Sequence, residues 1–124
     1  MLVEDFYHIA ELESRNMAIT AEVHLNPEHR LYKGHFPQQA VVPGVMQIQI
    51  IREVLESGFK KTFLINEVVV AKYLRPVTPK ENKVLNIQIT YIATGVSEYL
   101  INAMVNCNET TFTKVKARLS ESAQ

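Results

Sequence analysis

Between Lys33 and Glu56 the chain reads KGHFPQQAVVPGVMQIQIIREVLE. His35 stands there between a glycine and Phe36-Pro37. Imidazole titrates near neutral pH, the useful range for a general base. Nine residues on is Gly44, in a Pro43-Gly44 pair where a helical pattern begins. Free backbone N–H groups at a helix start carry the positive end of the helix dipole and suit a carbonyl oxygen that gains negative charge. Gly44 has no Cβ, so a ligand can come close to its N–H. A base and an oxyanion donor so placed suit proton abstraction beside a carbonyl. Phe36, Gly44 and Val45 are the candidate substrate contacts.

Two polar residues deeper in the helix complete the candidate set. Gln49 can donate and accept hydrogen bonds but cannot deliver a proton. Glu53 lies four residues later on the same polar stripe, and such neighbours have Cβ atoms about 5–6 Å apart. Glu53 thus sets a carboxyl beside the Gln49 amide. Arg52 and Glu56 share the four-residue spacing and are expected to pair on a solvated face.

The elements that must position these residues follow from hydrophobic period. Asp5 to Leu12, with Phe6, Ile9 and Ala10 on one side, is expected to form one or two helical turns. Met17, Ile19, Ala21, Val23 and Leu25 alternate with polar residues, as in a strand with one dry face. Residues 26–43 hold Pro27, Pro37 and Pro43 and no sustained period. A loop of that length is often functional. After it, Met46, Ile48, Ile50, Ile51, Val54 and Leu55 spread over a wide helical arc, which predicts a helix mostly surrounded by protein. Ser57-Gly58 is its expected stop.

From Phe63 the chain reads as four strands: Phe63 to Pro76, Val84 to Ala93, Tyr99 to Cys107 and Thr111 to Leu119. Thr94-Gly95 and Asn106 to Asn108 mark turns, and Ser120 to Gln124 reads as a polar tail. The order predicts an α+β layer architecture, a curved antiparallel sheet wrapped around one central helix, in a single domain over 1–124.

Composition narrows the function classes. The chain has 124 residues, 13 basic and 13 acidic, with zero formal net charge. Nothing there predicts a nucleic-acid footprint. The lone cysteine, Cys107, excludes an internal disulfide and a four-cysteine zinc site, and reads as core. No two histidines have metal-ligand spacing on a helix, and no metal is expected. With no apolar run of membrane length, no membrane contact is expected. With no signal peptide either, the expected setting is the cytoplasm.

Gly34-His35-Phe36-Pro37 and Val42-Pro43-Gly44-Val45 resemble the β-hydroxyacyl-acyl carrier protein dehydratases. Ala71-Lys72-Tyr73-Leu74-Arg75-Pro76-Val77-Thr78-Pro79 is similar to the family's segment A-(K/R)-F-x-x-P-V-x-P. The resemblance covers nearly the whole chain and implies the hot-dog fold. It implies that His35 takes the α-proton of a 3-hydroxyacyl thioester and that the Gly44 N–H holds the thioester carbonyl. It implies a homodimer with one continuous sheet, or a trimer of dimers. Acyl carrier protein would be the partner, with no cofactor. The family's catalytic acid, reaching the partner subunit's histidine, falls six residues after the proline of Pro-Gly. Here that position is Gln49, and Glu53, one turn further on, is the candidate to stand in for the acid that the resemblance implies. Losing a general acid removes about 10²–10⁴-fold in rate, or about 3–5 kcal/mol of barrier.

Three readings follow. The first is a dehydratase-like lyase in fatty-acid, lipid or polyene biosynthesis. The second is an impaired hot-dog module that binds acyl chains or carrier protein, and the third is an acyl thioesterase. Tyr73 and Arg75 are placed to approach a carrier protein, though packing at a strand edge explains them as well.

Overall fold

A computed structural model describes residues 5–30, 32 and 40–122. Its elements are β1 (Tyr7–Arg15), β2 (Ala18–Leu25), α1 (Gly44–Phe59), β3 (Phe63–Tyr73), β4 (Val84–Gly95), β5 (Glu98–Cys107) and β6 (Thr110–Glu121). The six strands form one sheet in the order β1-β2-β4-β5-β6-β3, and every neighbouring pair is antiparallel.

Alternation places the core. Ile19, Ala21, Val23 and Leu25 of β2 are buried, as are Leu85, Ile87 and Ile89 of β4. Ile101, Ala103, Val105 and Cys107 of β5 and Thr113, Val115, Ala117 and Leu119 of β6 point the same way. Against this face lie Ile50, Ile51, Val54 and Leu55 of α1, all at most 2% exposed. The helix touches β1, β2, β4 and β3, which include both edges of the sheet. One helix reaches both edges only if the sheet curves around it.

Three sequence expectations need correction. Of Asp5 to Leu12 only Asp5 is helical, because Tyr7–Arg15 pairs with β2 in register from Tyr7↔Leu25 to Arg15↔Ala18. Cross-strand pairing outweighed a weak helical period. The turn that joins them carries positive φ at both Asn16 and Met17, the pattern of the type I′ turns that fit strand twist. The helix stops at Lys60 rather than at Ser57-Gly58. Lys60 takes the left-handed conformation, φ 59°, and its N–H donates to the Glu56 carbonyl. The polar tail is also shorter than its composition suggests, since β6 runs on to Glu121 beside Phe63.

Gly58 has a packing role. A Cβ there would lie 2.5 Å from Ile19 Cδ1, a side chain buried completely in β2. Gly58→Ala gains up to about 1 kcal/mol of helix propensity. It meets an overpacking cost of about 1–3 kcal/mol, because Ile19 has no room to retreat. The expected net is a loss of up to about 2 kcal/mol in urea unfolding; a gain would mean that the helix and β2 separate easily.

Candidate active site

The start of α1 is fastened from two sides. Val42 N–H donates to Val77 O at 2.8 Å, joining the segment before the helix to the connection after β3. Gln47 then bridges helix and sheet. Its Nε2 donates to Val42 O at 3.2 Å, and its Oε1 accepts from the Thr113 hydroxyl of β6. Gln47 is 4% exposed and Thr113 is fully buried. Its period hides this role, for nothing distinguishes it from a solvated helix residue until Thr113 faces it. Thr113→Val keeps the shape and leaves the Gln47 carbonyl oxygen buried without a donor. We expect a stability loss of about 1–3 kcal/mol in thermal unfolding.

The Pro43 carbonyl accepts from the N–H groups of Met46 and Gln47. The N–H groups of Gly44 and Val45 come before any helical carbonyl that could take them. They are the donors available at this helix end, and Val45 beside them is 73% exposed. A Cβ on Gly44 would lie 2.5 Å from Tyr73 Cζ. Its Cβ side is therefore filled by the Tyr73 ring, against the expectation of open room for a ligand there. Approach to the Gly44 N–H must come from another direction. The same contact gives Tyr73 a packing role at the end of β3, with its ring still half-exposed.

Gln49 and Glu53 are brought together. Gln49 Nε2 donates to Glu53 Oε2 at 2.8 Å, and the Tyr7 hydroxyl donates to Glu53 Oε1 at 2.7 Å. Glu53 is 3% exposed. Burial first, and the Glu53 carboxyl beside it second, push the Tyr7 phenol far above its ordinary range, so it stays a donor. Nothing in the apparent helical period of its segment nominates Tyr7.

The rest of the polar stripe is not a solvated face. Glu56 Oε2 accepts from the Phe63 N–H at 2.8 Å, and Arg52 Nη1 donates to Phe63 O at 3.1 Å. Their own separation is 3.8 Å, with side chains 26% and 15% exposed. The pair clasps the first residue of β3. His35 and Phe36 lie outside the described residues.

Among the described residues, no group of three or more His, Cys, Asp or Glu side chains could hold a metal ion. Among them too, no helix is long and apolar enough to cross a membrane.

Comparison with known proteins supplies the context of this site. A family model described as ApeI-like: ApeI dehydratase matches residues 11–114. A 3-hydroxyacyl-[acyl-carrier-protein] dehydratase FabZ of Histophilus somni strain 2336 is 24% identical over 96 residues, which cover 71% of this chain and 64% of that protein. The chain thus spans less than two thirds of the length of the curated relatives it matches. Among solved structures, the dehydratase heterocomplex ApeI:P from Xenorhabdus doucetiae superposes with a TM-score of 0.74 at 19% identity, covering 90% of this chain and 96% of that one. An uncharacterized protein from Erwinia carotovora subsp. atroseptica gives 0.64 at 18% identity, covering 93% and 92%. At such identities the likeness establishes the fold, which is the expected hot-dog arrangement.

Proposed function

The chain belongs to the ApeI-like dehydratase family, and we propose that it is a hydro-lyase removing water from 3-hydroxyacyl groups carried as thioesters on acyl carrier protein. In this reading His35 takes the α-proton. The N–H groups at Gly44 and Val45 receive the thioester carbonyl as it gains charge. Phe36 and Val45 flank the acyl chain. Gln49 faces the hydroxyl that leaves, with Glu53 bonded behind it.

One observation carries the reading. A helix start with N–H groups to offer stands little more than a turn before an amide that is itself bonded to a buried carboxyl. Donors for an oxyanion and polar groups for a hydroxyl thus share one helix. Acyl carrier protein is proposed as partner because the Histophilus somni relative is named for substrates attached to it.

Assembly is part of the proposal. β3 lies at an edge of the sheet and leaves Leu64, Val68, Val69 and Val70 between 40% and 56% exposed, apart from Val69 at 39%. An open apolar edge strand is a template for pairing. A second copy joined there would extend the sheet across a twofold axis.

The test is direct. The protein is incubated with 3-hydroxyacyl carrier protein, and the thioester is followed by mass spectrometry for loss of one water. A trans-2-enoyl product supports the lyase. A second reading, an acyl-binding module without turnover, is favoured by Gln49 at the place of the acid. Tight binding with no product would select it.

A further inference from the structure

The outer face of the sheet, turned away from α1, carries a cluster of like charge. Lys114 and Lys116 alternate along β6 with the buried Thr113, Val115 and Ala117, so both stand on that face. Lys72 of β3 is the direct cross-strand neighbour of Lys114. Opposed residues have Cα atoms about 4.5–5.5 Å apart, and the two β6 lysines lie about 7 Å apart along their strand. Like charges directly opposite each other destabilise a sheet. Arg118, next on the same face of β6, has Glu67 at 3.4 Å. The ion pairs among the described residues include none of Lys72, Lys114 and Lys116. Glu13 shares their ladder but lies four strand spacings from Lys114, roughly 19 Å along the sheet. That is beyond the screening length of about 8 Å at physiological salt. The chain as a whole has no net charge, so the positive excess is local to this corner of the sheet.

The three lysines border an open groove of about 410 Å³, within the usual size range of small-molecule sites. Among the described residues no carboxylate lines it. The lining continues along the same two ladders: Met104 stands opposite Lys114 with Gln88 on its other side, and Asn102 stands opposite Lys116. A thioether makes favourable contact with an aromatic ring. The amides of Gln88 and Asn102 can donate to and accept from the edge of such a ring. We propose that this groove binds a nucleotide carrying at least two phosphates. The phosphates lie across Lys72, Lys114 and Lys116, and the base lies on Met104 beside the two amides. Lysine binds phosphate as a point charge, so a single small anion meets one or two of these groups and a chain of phosphates meets all three. The groove and α1 are on opposite sides of the sheet, which makes the inference independent of the thioester reading. A second copy paired at the β3 edge would extend the sheet and leave this face open.

Calorimetric titration of the full chain at low salt tests this with ADP, pyrophosphate and adenosine. ADP is expected to bind, pyrophosphate to bind several-fold more weakly, and adenosine not to bind. Lys114→Gln and Lys116→Gln should each weaken ADP about three- to tenfold, the size of one charge-assisted contact at a surface. Met104→Ala should weaken ADP and leave pyrophosphate unchanged. Lys72→Glu separates a binding role from a structural one. It should abolish ADP binding and also raise the urea midpoint, because the repelling pair with Lys114 becomes an attracting one.

Absence of ADP binding at low salt, or ADP binding unchanged in Lys72→Glu, overturns the inference. Pyrophosphate binding as tightly as ADP overturns it too, since the base would then have no role. An acidic carrier protein that binds the parent chain, is lost in Lys72→Glu and is not displaced by ADP would give the groove to a protein and overturn the nucleotide. Each of these failures leaves the lyase reading standing, because that reading uses the start of α1 on the other side of the sheet.

Discussion

Gln49→Glu is expected to raise the rate of water loss from a 3-hydroxyacyl thioester by about 10²–10⁴-fold, the usual contribution of a positioned general acid. The corresponding fall in barrier is about 3–5 kcal/mol. The neighbour of Gln49 makes the expectation stronger. Its amide nitrogen is 2.8 Å from Glu53 Oε2, so the substitution sets two carboxyls at hydrogen-bond distance. Two such groups cannot both ionise cheaply, and the pair retains a proton to higher pH than either alone would. That proton is what a departing hydroxide requires.

The same pair should weaken the fold in a definite direction. An acid whose pKa is raised on folding binds more protons in the native state than in the unfolded one. Its variant therefore loses stability as pH rises above the ordinary glutamate value of about 4.3. Single-turnover mass spectrometry of the thioester, with urea unfolding at two pH values, measures both effects. An unchanged rate in a folded variant would show that the missing acid does not limit this protein.

His35→Ala should lower turnover by about 10²–10⁴-fold while leaving affinity for the carrier-bound thioester within a few-fold. An α-proton beside a thioester is removed only by a base placed for it, and His35 is the one histidine set between a glycine and Phe36-Pro37. Equal loss of binding and turnover would assign His35 to the architecture of the loop. Retained turnover would put the base elsewhere. If the parent protein forms no enoyl product, the pair of variants still separates the two readings. Gln49→Glu then creates turnover in a disabled lyase, and the further change His35→Ala removes it. A binding module would respond to neither.

The strands β2, β4, β5 and β6 were legible because alternation is a local signal, and one dry face writes it into each of them. The arc of Ile50, Ile51, Val54 and Leu55 made α1 equally plain. β1 was not legible. Most of its residues are exposed on both faces, so the alternation is nearly silent, and its state was decided by eight paired positions along β2. The helix end slipped from Ser57-Gly58 to Lys60 for a similar reason. Gly58 serves the contact with Ile19, and no stop signal distinguishes that use of a glycine from a cap.

The site divides the same way. His35 and Gly44 could be nominated from residue type and spacing, because imidazole and a helix start are properties of a short stretch of chain, whereas Val45, Gln49 and Glu53 entered through the family resemblance. Which of them would be buried, and facing what, could not. Glu53 takes one of its hydrogen bonds from Tyr7, 46 residues earlier, and Gln47 is held by Thr113, 66 residues later. The open side of Gly44 is closed by Tyr73 from the far edge of the sheet. Periodicity records which face of an element avoids water. The identity of what covers a polar residue is a contact between distant segments, and only the folded sheet around its helix brings those segments into reach.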